Sequence, residues 1–176
     1  MHGVVSLLDD AHTQQVESLW AELAQEFGVR SKAATPYPHF SYQVAESYDL
    51  DALEPALRRF AENSGGFRVR TTGLGLFTGP KPVLYVPVVR STALTRFQRE
   101  LWPELAKVAQ GVSDYYHPEN WIPHITLAMN NLDGDNLPEI TRWLSHRDFN
   151  WEIDITNLAL IHDTDTSQEL LYLFEW

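Results

Sequence analysis

The sequence predicts an α+β fold in which two pseudo-equivalent halves each combine mainly antiparallel strands with flanking helices. Three observations point there. Helical and alternating hydrophobic periodicities are interspersed, with strand pairs joined by turn signals, instead of a regular strand–helix–strand rhythm. Two segments share one pattern, Pro38-His39-Phe40-Ser41 and Pro123-His124-Ile125-Thr126, and each opens a strand-like apolar run. The elements around the two segments recur in the same order.

Gly3 to Leu8 reads as a strand. Val16, Leu19, Trp20, Leu23 and Phe27 stand at helical spacing over residues 12–27, and Gly28 supplies the stop. Ser31 to Pro38 is a polar loop with two prolines, and residues 39–45 alternate as a strand. Leu50, Leu53, Leu57 and Phe60 mark a second helix, ended by Asn63-Ser64-Gly65-Gly66. Phe67 to Phe77 and Val83 to Val89 read as one hairpin joined by Thr78-Gly79-Pro80-Lys81-Pro82. Gly73 and Gly75 are expected to serve a bulge or a close strand approach.

The order then restarts. Ser91 or Thr92 caps a helix carrying Leu94, Phe97, Leu101, Leu105 and Val108, which Pro103 is expected to kink or divide. Gly111 to Pro123 is a long loop with Tyr115, Tyr116, His117 and Trp121. Residues 124–129 form the second motif strand. Asn136, with Glu139 three residues on, resembles a capped helix start whose buried stripe is Leu137, Ile140 and Leu144. Trp151 to Ile161 and Leu170 to Phe174 close the chain as two strands.

Composition narrows the function. The 176 residues, 44% hydrophobic and 21% charged, suit one soluble domain or two small lobes sharing a core. No apolar run approaches the ~20 residues of a membrane span. Met1-His2-Gly3-Val4-Val5 lacks the marks of a signal peptide, so a cytoplasmic location without a membrane partner is expected. With no cysteine there is no thiolate nucleophile and no zinc–cysteine site. No Gly-rich phosphate loop occurs, and Asp163 and Asp165 near His162 read as a polar turn, so neither a cofactor nor a metal is expected. A net charge of −11 argues against an extended duplex nucleic acid and leaves a small nucleotide or a single RNA terminus. The basic residues crowding 58–107 read as a solvated helix face. A monomer is expected.

Strand alternation gives the repeated motif a direction. His39 and Ser41 share one face, opposite Phe40, Tyr42 and Val44. His124 and Thr126 share one face, opposite Ile125, Leu127 and Met129. A lone histidine after a proline is usually structural, but two with matched flanks and matched element order argue for a shared site. His2, His12, His117, His146 and His162 lack that context and read as surface residues, with His117 alone placed to reach a cleft. Two imidazoles and two hydroxyls suit a cyclic phosphodiester. One neutral imidazole deprotonates water and one imidazolium protonates the departing ribose oxygen, which an unperturbed pKa of ~6.5 permits near neutrality. The hydroxyls donate to the non-bridging oxygens where charge builds.

On these two motifs, with Leu74-Gly75-Leu76-Phe77 and Val83-Leu84-Tyr85-Val86 between them, the chain resembles the two-histidine phosphoesterase superfamily, which includes 2′-5′ RNA ligase-like proteins and 2′,3′-cyclic nucleotide phosphodiesterases. The resemblance implies a bilobal fold with pseudo-twofold symmetry, one motif per lobe and an open cleft between. It implies metal-free action on 2′,3′-cyclic phosphates, with His39 and His124 as the acid/base pair and Ser41 and Thr126 as phosphate ligands. Ser41, where threonine is commoner, keeps the hydroxyl. Either histidine fits either role. Tyr37, Tyr85, Tyr115, Tyr116 and Trp121 are candidates for base stacking or cleft lining, worth ~1–3 kcal/mol per base, with packing as the competing role. Hydrolysis of a 2′,3′-cyclic phosphate on a nucleotide or an RNA end is the expected activity. A 2′-5′ RNA ligase, or a binding module without turnover, would keep the same four groups.

Overall fold

The computed structural model describes residues 1–29, 36–164 and 167–176. In chain order the elements are β1 (His2–Leu7), α1 (Asp10–Phe27), β2 (His39–Tyr48), α2 (Leu50–Glu62), β3 (Phe67–Arg70), β4 (Gly75–Phe77) and β5 (Val83–Pro87). There follow α3 (Thr92–Ala106), β6 (Ala109–Val112), a 3-10 turn (Asp114–Tyr116), β7 (His124–Ala128), α4 (Leu137–Leu144), β8 (Glu152–Ile155), β9 (Asn157–Asp163) and β10 (Gln168–Glu175). One sheet runs β10-β9-β1-β2-β6, a second β4-β5-β7, and β3 pairs with β8. Every strand pair is antiparallel. The architecture is the α+β arrangement the sequence predicts, with the first motif in the five-stranded sheet and the second in the three-stranded one.

Local chemistry explains the helix boundaries. Asp9, Asp49 and Ser91 cap α1, α2 and α3 by accepting the N–H of His12, Ala52 and Leu94. Gly28 closes α1 at φ 69°, a conformation that favours glycine. The buried stripes are Val16, Leu19, Trp20 and Leu23 on α1, and Leu94, Phe97, Leu101 and Leu105 on α3. They join one core with Phe40, Tyr42, Ile125 and Leu127 from the motif strands. Among the described residues no helix is long and apolar enough to cross a membrane.

Several expectations are corrected. Phe67 to Phe77 is not one strand of a hairpin. Gly73, at φ +56°, turns the chain, so β3 leaves to pair with β8 while β4 pairs with β5. Gly75 does serve a close approach: a Cβ there would lie 2.2 Å from the Tyr85 ring. Trp151 to Ile161 likewise divides, β8 joining β3 and β9 joining β1. Pro103 does not divide the helix in two, because α3 runs unbroken through it. Pro103 and Arg99, whose carbonyl loses its usual donor, are both exposed, so water can satisfy that carbonyl. The aromatic loop opens with β6 and a 3-10 turn. Asn136 does not cap α4 with its side chain; it accepts from the Asp133 N–H and donates to the Asn131 carbonyl. Residues 31–35 of the expected loop, and Asp165, lie outside the described residues.

Candidate active site

The site follows from how the two motif strands are held. β2 and β7 lie against each other across the two sheets. His39, Ser41, His124 and Thr126 line one cleft of about 270 Å³. Phe40 and Ile125, on the opposite faces, are fully buried.

The strands then depart from simple alternation in the same way. Val5 pairs with Ser41 and Val4 with Gln43, so Tyr42 is an extra residue, a β-bulge. Tyr85 pairs with Thr126 and Leu84 with Ala128, so Leu127 is the extra residue of β7. Each bulge falls three positions after its histidine. A one-residue slip exchanges the faces beyond it. Val44 and Met129 therefore line the cleft and do not point into the core, contrary to the alternation read from sequence.

Both imidazoles are oriented by the same bond. His39 Nδ1 lies 2.6 Å from the Tyr37 carbonyl oxygen, and His124 Nδ1 lies 2.7 Å from that of Ile122. A carbonyl only accepts, so Nδ1 carries the proton and Nε2 is the basic nitrogen of the neutral ring. The motif prolines supply the acceptor. The residue before a proline is held extended, and in each motif that residue is the one whose carbonyl meets the imidazole. Burial lowers the pKa of both histidines from the ordinary value, against the opposing pull of these carbonyl bonds. On His39 the charge of His124 lowers it further and that of Asp163 raises it.

The strand backbones are propped by tryptophans. Among the described residues β6 meets β2 only from Ala45 onward, and β7 has a strand on one side only. At the hydroxyl residues an indole supplies the donor instead. Trp121 Nε1 donates to the Ser41 carbonyl at 2.8 Å and Trp20 Nε1 to that of Thr126 at 3.2 Å. Both rings are buried. Trp121 is thus a strut behind the first motif and not a cleft-lining surface. Arg90 holds it from outside, donating to its carbonyl at 3.1 Å.

The other expected aromatics separate. Tyr37 contributes its carbonyl, and its ring packs with Val5, Ala159 and Ile161. Tyr85 is buried, stacked on Phe77 at 4.2 Å and against His124 at 5.1 Å, so its faces are taken by protein. Tyr115 is 85% exposed and lines a neighbouring groove of about 600 Å³ with Leu76, Lys81 and Ile122, beyond His124. His117 sits edge-on to Trp102, away from the cleft. Sequence reasoning missed Phe77, which meets His124 edge-on at 4.9 Å. Tyr116, a stacking candidate from the sequence, does line the cleft, where its side chain is hydrogen-bonded to Ser41. Sequence reasoning also missed His2, Asp163 and Gln168 at the cleft's outer end. The sequence places Asp163 in a turn; it ends β9, a position that only strand pairing reveals.

Comparison with known proteins agrees with this geometry. The model of the 2′-5′ RNA ligase superfamily matches residues 8–166. No curated protein sequence matches significantly. Among solved structures, TT0787 of Thermus thermophilus superposes with a TM-score of 0.67 at 17% identity, covering 99% of this chain and 96% of that one. E. coli LigT, solved with 3′-AMP, gives 0.61 at 16% identity over 99% and 96%. Kluyveromyces marxianus Usb1 gives 0.55 at 13% identity over 99% and 97%. At these identities the likeness carries the fold.

Proposed function

Because the chain belongs to the 2′-5′ RNA ligase superfamily of two-histidine phosphoesterases, we propose that it hydrolyses 2′,3′-cyclic phosphates on a nucleotide or at an RNA end, without a metal. One observation carries the reading: two imidazoles with Nδ1 locked on backbone carbonyls share a cleft with two hydroxyls. His124 is surrounded by Phe77 and Tyr85, while His39 has the Asp163 charge acting on it. A carboxylate favours imidazolium and an apolar wall favours the neutral ring. Burial lowers the pKa of both rings, but when His124 is neutral its charge no longer opposes the pull of Asp163 on His39, and on that ground we assign His124 as the base and His39 as the acid.

Water attacks phosphorus as His124 Nε2 takes its proton. The bond from phosphorus to one ribose oxygen breaks, and His39 Nε2–H gives that oxygen its proton. The product is a phosphomonoester, and the two histidines are left with exchanged protonation until solvent resets them. Ser41 and Thr126 donate to the non-bridging oxygens. The test is turnover of 2′,3′-cyclic nucleotides with phosphomonoester detected by NMR. Full activity in His39→Ala or His124→Ala, or loss of activity in EDTA, would overturn the mechanism. Cyclic nucleotide that binds and returns unchanged would make the protein a binding module.

A further inference from the structure

Ser41 and Thr126 hold matched places in the two motifs, yet their hydroxyls are backed differently. Both line the cleft, and Tyr116 lines it with them. The Tyr116 side chain is hydrogen-bonded to Ser41. The Thr126 hydroxyl has no such partner among the described residues. Tyr116 ends the 3-10 turn, and that turn is docked on β2 at two points. Ser113 N–H donates to the Val44 carbonyl at 2.9 Å. The second point is Gln98, fully buried on α3. Its Nε2 donates to the Tyr116 carbonyl at 3.1 Å and to the Tyr42 carbonyl at 3.4 Å. Two carbonyls cannot bond each other. A primary amide carries two hydrogens on one nitrogen, which is what bridging them requires. Gln98 Oε1 is buried without a partner, a destabilising arrangement that an apolar side chain would avoid. What the amide contributes is therefore its two hydrogens. One bridged carbonyl belongs to the residue after Ser41, and the other to the residue whose side chain meets Ser41.

We propose that Gln98 and Tyr116 are positioning residues that aim the Ser41 hydroxyl; the proposal rests on the reading of the cleft as a phosphate site. A serine hydroxyl has one proton and two lone pairs. An anionic phosphate oxygen is the strongest acceptor a bound substrate brings. The Ser41 proton goes to it, and the Ser41 oxygen accepts from Tyr116. Burial pushes the Tyr116 phenol above its ordinary pKa, so it stays protonated and able to donate. Hydrogen bonds in such a chain polarise and strengthen one another. Thr126 donates without that support. The two non-bridging oxygens of a bound phosphate are thus held unequally, and the stronger hold is on the Ser41 side.

The experiment uses the two diastereomers of uridine 2′,3′-cyclic phosphorothioate, which carry sulfur at one non-bridging position or the other. Sulfur is the weaker acceptor. The parent should therefore turn over the two isomers at unequal rates, the slower one having its sulfur against Ser41. Tyr116→Phe and Gln98→Met should each lower kcat on the ordinary cyclic nucleotide by about 2- to 10-fold, the scale of one neutral hydrogen bond. Each should also bring the isomer ratio toward one. A merely structural role would slow both isomers alike and keep the ratio. Tyr116→Phe leaves the amide bridge in place, so it tests the chain of hydroxyls even where Gln98→Met weakens the fold. Once Tyr116 is phenylalanine, adding Gln98→Met should leave the ratio where it is. A ratio of one in the parent, or a ratio that survives both substitutions, would overturn the proposal. Hydrolysis of the ordinary cyclic nucleotide is measured first. If it is absent while both isomers bind, the proposed activity falls, and unequal affinities that Tyr116→Phe levels would leave the positioning role standing. Hydrolysis with an isomer ratio of one would do the reverse. Neither binding nor turnover of any of these compounds would overturn both.

Discussion

The two motif strands share a backbone plan and differ in surroundings. Each holds its histidine by an Nδ1–H bond to the carbonyl two residues back, carries a bulge three residues on, and satisfies the hydroxyl residue's carbonyl with a buried indole. The two indoles come from unrelated places, Trp20 on α1 and Trp121 ahead of the second motif. The requirement is physical, a donor for a carbonyl beside a strand edge, and different elements meet it. The surroundings are not shared. His39 feels a carboxylate and the charge of its partner, whereas His124 is set between aromatic rings. The repeated plan aims two imidazoles, and the unequal walls give them different work.

The sharpest way to break that comparison is to remove one imidazole at a time. His39→Gln and His124→Gln should each slow cyclic nucleotide hydrolysis by about 10²- to 10⁴-fold, the usual scale of acid–base catalysis. An aryl phosphodiester, whose phenolate departs without a proton, should restore much of the rate to His39→Gln and none to His124→Gln. Rescue of the His124 variant instead would reverse the assignment of acid and base. Next in size come the hydroxyls. Ser41→Ala and Thr126→Ala should each lower kcat by about 10- to 1,000-fold. Tyr116→Phe should add a smaller loss, and that loss should vanish when Ser41 is already alanine.

Much of this is legible in the residues. The repeated Pro-His-x-Ser/Thr exposes the reacting groups because strand alternation puts positions i and i+2 on one face. The helices are legible because Leu and Phe recur at helical spacing over long segments. What alternation cannot show is a bulge, since the extra residue is defined by the partner strand; hence it puts Val44 and Met129 on the wrong side. Pairing partners are equally hidden. Phe67 to Phe77 reads as one strand, but its two halves pair with strands far apart in sequence. Asp163 and Gln168 become neighbours only through the β9–β10 register, so the outer end of the cleft carries no local signal.

The struts offer a smaller contrast. Trp121→Phe keeps a buried ring but strips the donor from the Ser41 carbonyl, and Trp20→Phe does the same for Thr126. Each should destabilise by about 1–3 kcal/mol, the cost of a buried acceptor left unpaired. The Trp121 effect should be the larger, because its bond is shorter and Arg90 also loses the indole face it lies over. Urea titration of both variants would show it. Equal stability of Trp121→Phe and the parent would mean that water already serves the carbonyl.

The smallest expected effect tests the surroundings by pH. Burial holds both histidines below the ordinary value of ~6.5 in the folded protein. At pH 7 and above the neutral rings cost the fold nothing. Below about 6.5 the unfolded chain takes up protons that the folded sites refuse, so stability is lost as pH falls toward the folded pKa values. Calorimetric Tm measured from pH 7.5 down to 5 should decline less steeply in His39→Gln and His124→Gln than in the parent. Asp163 separates the two sites, because its charge partly offsets the burial of His39 and is not among the influences on His124. Asp163→Asn should therefore steepen the acid-side loss, and it should do nothing when His39 is already glutamine. If Asp163→Asn acted equally through His124, both imidazoles would share one electrostatic environment, and the division into acid and base would lose its cause.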